Sequence, residues 1–230
     1  MSILAQLKQK WQTLITGYRF MQLVEAPYGD FGAIGRISNV INSPDKLKEI
    51  IKFIAADEQG RKALKEHSRL GKINLQQLHQ LPKNTLGYLY ADHLLKNNLT
   101  PPSVPDTVDD YSFPGVHLLE THDIWHVVTG CDTTKAGEIE LQAFYTAQIY
   151  PSPTFLALLA KNLMKTAIED TELCEQHMNA LSRGWMRGKE AKPLFGIQWH
   201  TKWEIPLEQL RTQLNLNQPI DKTIEVVTAA

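Results

Sequence analysis

Apolar residues recur at helical spacing along most of the chain, whereas runs in which apolar and polar residues alternate are scarce. A first amphipathic helix is marked by Leu4, Leu7, Trp11, Leu14, Ile15 and Tyr18. Further helices are predicted over residues 44–56, from residue 58 onward, and over 85–97, 116–129, 138–150, 155–181 and 206–214. The pattern therefore predicts an all-α protein.

Capping and breaking residues divide the predicted helices. Ser43-Pro44-Asp45 has the form of an N-cap, a proline at the first helical position and an acidic first turn. Gly130 suits the C-terminal cap of the helix over 116–129. Gly32 and Gly35 are expected to loosen the chain near residues 33–35, because glycine is a weak helix former.

A proline-rich stretch at residues 101–105 is the clearest break in the chain. It would suit an interdomain linker, but we favour a stiff loop inside one bundle. From Gly184 onward, glycines and tryptophans predict an irregular segment. We therefore expect a single-domain helical bundle over residues 1–230, with an irregular C-terminal segment and a peripheral tail at 215–230.

Composition excludes several classes of partner. The 230 residues are 43% hydrophobic and carry a formal net charge of −1, so the balance of charge gives no reason to expect nucleic acid. Cys131 and Cys174 form no CxxC pair, which argues against a disulfide framework or a cysteine zinc site. The longest apolar stretch, at 155–164, is too short to span a bilayer. The N-terminus resembles neither a signal peptide nor an import sequence, so we expect a cytoplasmic, bacterial-type protein.

The candidate chemistry lies in the helix over 116–129 and at the start of the next helix. At about 100° per residue, His122 lies at 0°, His126 at about 40° and Asp123 at about 100°, so the three share one face. Two imidazoles at i and i+4 can hold one metal ion, and a nearby carboxylate offsets its charge. A helix–turn–helix of this length could bring Glu138 beside them.

Each part of this pattern also has an ordinary structural interpretation. Histidine pairs on helices are commonly surface or core residues, and acidic residues at a helix start commonly complement the helix dipole. Asp123 occupies the place of the glutamate in HExxH, so metalloprotease chemistry is not supported. Cys131 is interpreted as a bystander, and His93 as a structural residue.

The run His122-Asp123-Ile124-Trp125-His126, followed after eleven residues by Glu138, resembles the hallmark of the Coq-four family of coenzyme Q biosynthesis proteins. The match is complete at all four motif positions, and the surroundings, including 125–130 and 141–144, are similar too. The resemblance covers roughly residues 10 to 215. It implies an all-α fold, a divalent metal at His122, Asp123, His126 and Glu138, and a role in quinone biosynthesis at a membrane surface.

For the reaction, the resemblance implies removal of the C1 carboxyl of a polyprenylated hydroxybenzoate, hydroxylation at the same carbon, or organisation of a biosynthetic complex. A decarboxylase with the four motif residues as catalytic groups and a non-catalytic lipid-binding scaffold both stay open. One divalent ion is expected. Zinc is favoured, and magnesium, iron, cobalt or manganese would also suit imidazole and carboxylate ligands. A metal-dependent phosphohydrolase is a weaker third alternative.

The implied partners are a prenylated aromatic or prenyl-phosphate lipid, the inner face of a membrane and other quinone-biosynthesis proteins. A homodimer is compatible with the resemblance. A lipid groove is predicted at Phe155, Leu159, Leu163 and Met164, although these residues would equally suit a core. Contact with an anionic head group or membrane is predicted at Arg183, Arg187, Lys189 and Lys192, for which a solvated turn is the alternative.

Overall fold

The computed structural model describes residues 3–27, 29–106, 108–149 and 152–217. These ranges hold no β-strand, only one isolated bridge between Thr85 and Pro206, so the all-α prediction is confirmed. The predicted peripheral tail lies mostly outside the described residues. The α-helices are α1 (Ile3–Glu25), α2 (Phe31–Ile41), α3 (Pro44–Ile54), α4 (Glu58–Glu66), α5 (Leu75–Leu78), α6 (Leu86–Lys96), α7 (Phe113–Thr129), α8 (Lys135–Gln148), α9 (Pro153–Glu169), α10 (Cys174–Glu190) and α11 (Leu207–Gln213).

Local capping explains where several helices begin and end. The Ser43 side chain accepts a hydrogen bond from the Lys46 backbone N–H at the start of α3, and Thr134 does the same for Gly137 at the start of α8. Gly130 ends α7 in the left-handed conformation, with φ of 75°. The predicted start of α3 and the predicted end of α7 are therefore confirmed, whereas α8 begins at Lys135, three residues before the predicted start, because Thr134 caps it.

Three predictions about helix boundaries were wrong. Helix α2 runs through Gly32 and Gly35, because an N-cap at Asp30 and a buried face around Ile37 outweigh the weak propensity of glycine. The helix predicted over 155–181 is two helices, α9 and α10, separated at Asp170, whose backbone is not helical. The irregular segment accordingly begins after Glu190 and not at Gly184.

Helix α10 packs unusually close to α8, and two glycines permit this. A Cβ atom on Gly184 would overlap the Glu140 carbonyl oxygen, and one on Gly188 would lie 2.7 Å from the Phe144 carbonyl oxygen. Glycine is therefore required by packing at positions where the sequence pattern suggested a break. This contact holds α8 against the body of the protein.

The main core lies between α6, α7, α8 and the C-terminal segment. Trp125 on α7 is fully buried and stacks on Tyr145 of α8, with ring centroids 4.4 Å apart. Tyr90 on α6 stacks on Trp203 from the C-terminal segment. The segment after α10 thus closes the core although much of it is not helical.

We predict that Gly184→Ala destabilises the protein by about 1–3 kcal/mol, because the added methyl must push α10 away from α8. The matched control is Gly17→Ala on α1, where a Cβ would meet nothing within 4 Å and the better helix former should stabilise by roughly 0.5–1 kcal/mol. Denaturant unfolding of both variants measures the difference. Equal stability of the two variants would contradict the packing account.

Candidate metal centre

Three predicted ligands converge between α7 and α8. The Nε2 atoms of His122 and His126 lie 3.2 Å apart, and His126 Nε2 lies 3.3 Å from Glu138 Oε1. One ligand atom from each of the three residues lies within 4.8 Å of the others. This is the spacing that permits two imidazoles and a carboxylate to share one ion.

The local structure of the chain explains this convergence. His122 and His126 are one helical turn apart on α7, so their side chains project from the same face. Gly130 ends α7 and Thr134 caps α8, which reverses the chain within a few residues. Glu138 then lies in the first turn of α8, opposite the two histidines.

Hydrogen bonds at the far side of each imidazole orient the cluster. His126 Nδ1 lies 3.0 Å from the Cys131 carbonyl oxygen, which can only accept, so Nδ1 carries a proton and donates it. His122 Nδ1 lies 3.3 Å from the Tyr145 hydroxyl. Such partners are typical of metal-binding histidines, because they turn the Nε2 lone pairs toward a common point.

Burial and mutual charge set the protonation of the cluster. Burial, followed by the neighbouring His126, lowers the pKa of His122 to about 4, so this imidazole is neutral at ordinary pH. Burial by itself lowers the pKa of His126, but the hydrogen bond and charge of Glu138 raise it overall. Burial by itself raises the pKa of Glu138, but bonding to His126 lowers it overall. The partly buried carboxylate of Glu138 is thus stabilised by a positive partner.

The donor set fits a divalent cation. A neutral imidazole with its proton on Nδ1 presents only a lone pair at Nε2, and the ionised carboxylate of Glu138 also presents only lone pairs. When both histidines carry a proton only on Nδ1, their two Nε2 atoms and the Glu138 carboxylate direct lone pairs at one region between α7 and α8. A proton on His126 Nε2 relieves this repulsion in part, and a cation would relieve it for all three residues.

Asp123 does not belong to this group of converging ligand atoms. It follows His122 by about 100° around α7, which places it at the edge of the face that carries the two histidines. Burial raises the pKa of its carboxyl group. The assignment of Asp123 as a fourth ligand therefore stays a prediction. The convergence of His122, His126 and Glu138 does not depend on it.

His93 on α6 is a neighbour of the site that sequence reasoning missed. Its ring stacks on that of His126, with centroids 5.9 Å apart, and among the described residues its buried Nε2 atom has no hydrogen-bond partner. Burial lowers its pKa. No spacing in the sequence links His93 to the motif, since α6 and α7 are joined by a long loop.

Cys131 contributes its backbone to the site and not its thiol. Its carbonyl oxygen accepts the hydrogen bond from His126, while burial raises the pKa of the thiol to about 11. The thiol is therefore protonated at ordinary pH and is a poor metal ligand. This agrees with its interpretation as a bystander.

A cavity of about 590 Å³ lies beside the cluster. His122, Glu138 and Tyr145 contribute to its wall at one end. Most of the remaining wall is apolar and comes from α2, α3, α7 and α9, including Ile34, Leu47, Ile50, Ile51, Leu118, Leu119, Phe155 and Leu158. The candidate metal ligands therefore border a space large enough for a small organic ligand.

Only one of the four residues predicted to form a lipid groove lines this cavity. Phe155 does so, but Leu159, Leu163 and Met164 do not. The buried face in the second half of α9 is polar and carries Lys161, Asn162, Lys165 and Thr166, so Leu163 and Met164 are turned outward. The sequence pattern located the helix but not the face that lies inward.

The basic cluster predicted to bind an anionic head group is partly structural. Arg183 and Arg187 on α10 both pair with Glu140 on α8, at 2.8 and 2.9 Å, and Arg187 also donates to the Thr129 carbonyl oxygen at the end of α7. The single carboxylate of Glu140 offsets one of the two arginine charges, and the Arg183 side chain is 45% exposed, so contact with an anionic head group stays a prediction. Lys189 and Lys192 are exposed.

We predict that Arg187→Met lowers stability by about 1–3 kcal/mol, because it leaves the buried Glu140 with one arginine and removes a bond to α7. Lys192→Met removes the same charge from an exposed site and is expected to change stability by less than about 0.5 kcal/mol. Thermal unfolding compares them. If both variants were equally stable, the structural role of Arg187 would be rejected.

Within the described part of the chain, no helix combines the length and the apolar character required to cross a bilayer.

Comparisons with known proteins give relatives over most of the chain. "Ubiquinone biosynthesis protein coq4, mitochondrial" of Talaromyces marneffei is 31% identical over 82% of this chain and 66% of its own length. The Eremothecium gossypii protein "Ubiquinone biosynthesis protein COQ4, mitochondrial" is 29% identical over 77% of this chain and 56% of its own. The chain thus spans well under the full length of these curated relatives. Their mitochondrial names go against the expectation of a bacterial-type protein.

A solved structure supports the same relationship. The crystal structure of a Nostoc punctiforme protein, provisionally assigned to ubiquinone biosynthesis, matches 90% of this chain and 97% of its own with a TM-score of 0.78 and 25% identity. The family model "Coenzyme Q (ubiquinone) biosynthesis protein Coq4" matches residues 4–220. The chain therefore belongs to the Coq4 family of ubiquinone biosynthesis proteins.

Proposed function

We propose that this protein binds a divalent metal ion and a prenylated hydroxybenzoate, and that it promotes loss of the C1 carboxyl group in ubiquinone biosynthesis. The observation that carries the proposal is that the ligand cluster and the apolar cavity share residues. His122 and Glu138 belong both to the converging ligand cluster and to the wall of the 590 Å³ cavity. A polar head group could thus lie at the ligands while an apolar tail occupies the rest of the cavity.

His122, His126 and Glu138 would hold the metal, and Asp123 is the further predicted ligand. Zinc is favoured by the mixture of imidazole and carboxylate donors. When bound, such an ion supplies Lewis-acid stabilisation of negative charge that develops on an aromatic acid. Three protein ligands leave room for a substrate oxygen, as in catalytic zinc sites.

The protein's own residues would position the substrate and exclude water. The apolar wall formed by α2, α3, α7 and α9 favours a prenyl chain, since burying each CH₂ group gains about 0.8 kcal/mol. Burial raises the pKa of Tyr145, so its hydroxyl stays protonated beside His122 and can hold that ring in place. Gln142, which also lines the cavity, is fixed by a hydrogen bond from Asn162.

Polar contacts interrupt the apolar wall at one further point. Thr154 at the start of α9 is hydrogen bonded to both Ser38 and Asn42 of α2, at 2.7 and 2.9 Å. The Asn42 Oδ1 atom is buried and has no partner among the described residues. A ligand in the cavity would therefore meet a second polar region away from the cluster.

A non-catalytic scaffold that binds a prenyl lipid is the alternative. The ligand cluster joins α7 to the first turn of α8, so an ion there would brace two helices of the core. Under this alternative, the metal stabilises the fold and a surface for other quinone-biosynthesis proteins, and a homodimer is compatible with it. The two functions differ in whether added substrate is converted.

We predict that Glu138→Gln loses bound metal, because a neutral amide cannot replace the buried carboxylate. Glu58→Gln, in the first turn of α4, is the matched control and should retain metal, since Glu58 lies outside the converging group. Asp123→Asn tests the further predicted ligand. Elemental analysis of protein loaded with zinc measures all three variants. Metal retention by Glu138→Gln would refute the site, and loss in Asp123→Asn would make Asp123 a ligand.

We predict that Gly115→Trp prevents lipid retention while metal content is preserved. Gly115 lines the cavity and a Cβ there would meet nothing within 4 Å, so a large side chain can fill the space. Leu163→Trp is the control, because Leu163 does not line the cavity. Native mass spectrometry after incubation with a prenylated hydroxybenzoate reports both ligands. Equal retention by the two variants would place the lipid elsewhere.

Turnover separates the catalyst from the scaffold. Wild-type protein loaded with each divalent metal is incubated with the prenylated acid, and release of carbon dioxide from C1 is measured. Release that disappears in Glu138→Gln but persists in Glu58→Gln supports catalysis at the cluster. Absence of release with every metal, together with lower stability of Glu138→Gln, supports the scaffold.

A further inference from the structure

The apolar face of α1 is turned away from the protein. The exposed fractions of its large apolar residues range from 45% for Ile15 to 78% for Leu4. At about 100° per residue these side chains fall within an arc of roughly 120°. They form what we call the α1 apolar stripe, which consists of Leu4, Leu7, Trp11, Leu14, Ile15, Tyr18 and Met21.

The opposite side of α1 contacts the body of the protein. Leu23 is buried in a small core with Ile37 of α2 and Leu158 of α9. Polar side chains, including Gln12 and Thr13, line a shallow groove between α1, α2 and α9. An amphipathic helix on a water-soluble surface normally shows the reverse arrangement. A continuous apolar surface of this kind indicates an interaction site.

The charges of α1 indicate what covers the stripe. Lys8 and Arg19 lie along one side of it and Lys10 lies along the other, and residues 4–24 contain no acidic residue. The one acidic residue of α1, Glu25, lies at its C-terminal end, so a second copy of this chain would bring six cations and only two carboxylates on α1 to the shared interface. An anionic lipid surface offers the complementary charge.

The aromatic residues of the stripe support the same occupant. Trp11 and Tyr18 have rings with one polar atom, which suits the boundary between acyl chains and head groups. A helix with a wide apolar face, flanking cations and aromatic side chains is typical of segments that lie in the plane of a membrane. The net charge of the whole chain is −1, so such attraction would be local to α1.

We infer that α1 docks in the plane of an anionic membrane surface, with its apolar stripe buried among the lipids. This assigns the main contact to α1, where no carboxylate offsets the cations along residues 4–24, whereas Glu140 offsets one of the two charges of Arg183 and Arg187. Helix α2 packs on α1 and also forms part of the cavity wall. If the proposed function holds, docking through α1 therefore brings the cavity close to the bilayer that supplies a prenylated substrate.

Co-sedimentation with vesicles tests this inference. The full chain is mixed with vesicles of phosphatidylcholine alone or of phosphatidylcholine and phosphatidylglycerol in equal parts. We expect preferential binding to the anionic vesicles that weakens as salt is added. The double variant Trp11→Gln/Leu14→Gln should bind about tenfold or more weakly, and Lys8→Gln/Lys10→Gln should lose most of the preference for anionic lipid.

Matched variants elsewhere on the surface are the controls. Leu95→Gln/Met178→Gln replaces exposed apolar residues on α6 and α10, and Lys62→Gln/Lys65→Gln removes two exposed cations from α4. Both should bind vesicles as the wild type does. Because the substituted α1 side chains are exposed, thermal unfolding of the α1 variants should be unchanged.

Three outcomes would overturn the inference: no preference for anionic vesicles, equal loss in the control variants, or a lipid-free dimer that Trp11→Gln/Leu14→Gln dissociates. The last outcome would show that a second copy covers the stripe. Glu138→Gln should still bind vesicles, and the α1 variants should still bind zinc. Failure of docking is thereby distinguished from failure of the proposed metal site.

Discussion

The position of the first turn of α8 relative to one face of α7 determines the candidate site. Glu138 reaches His126 because α8 begins directly after a tight reversal and because α10 holds α8 close to the core. Gly184 and Gly188 permit that close contact, since any side chain would meet the backbone of α8. Arg187 strengthens it by joining Glu140 on α8 to the end of α7. The residues that place Glu138 are therefore distant from it in sequence.

The same packing produces a buried carboxylate beside two oriented imidazoles. Such a group is costly to bury without positive charge nearby, and His126 offsets part of that cost when protonated. A divalent ion would compensate the charge more completely, and the Nδ1 contacts to Cys131 and Tyr145 already direct the rings toward it. The cluster borders a largely apolar cavity, whereas structural zinc sites are normally closed by four protein ligands.

The two surfaces that could meet other molecules differ in how their charges are used. On α10, Arg183 and Arg187 share one internal carboxylate, which offsets one of their two charges. On α1, residues 4–24 contain no acidic residue, and the cations lie beside exposed apolar residues. By composition, both α1 and α10 are basic and amphipathic. Only the contacts of each side chain show how much of its charge is already offset within the protein.

The sequence by itself determined the features that depend on neighbours along the chain. The i and i+4 spacing of His122 and His126, the cap at Gly130 and the acidic first turn of α8 are local, so periodicity and capping rules predicted them. The tertiary structure alone decided which face of each helix is buried. It left Asp123 out of the converging ligands, brought His93 to His126 and turned Leu163 and Met164 outward. A hydrophobic pattern reveals that a helix has an apolar face, but packing against distant segments decides what covers that face.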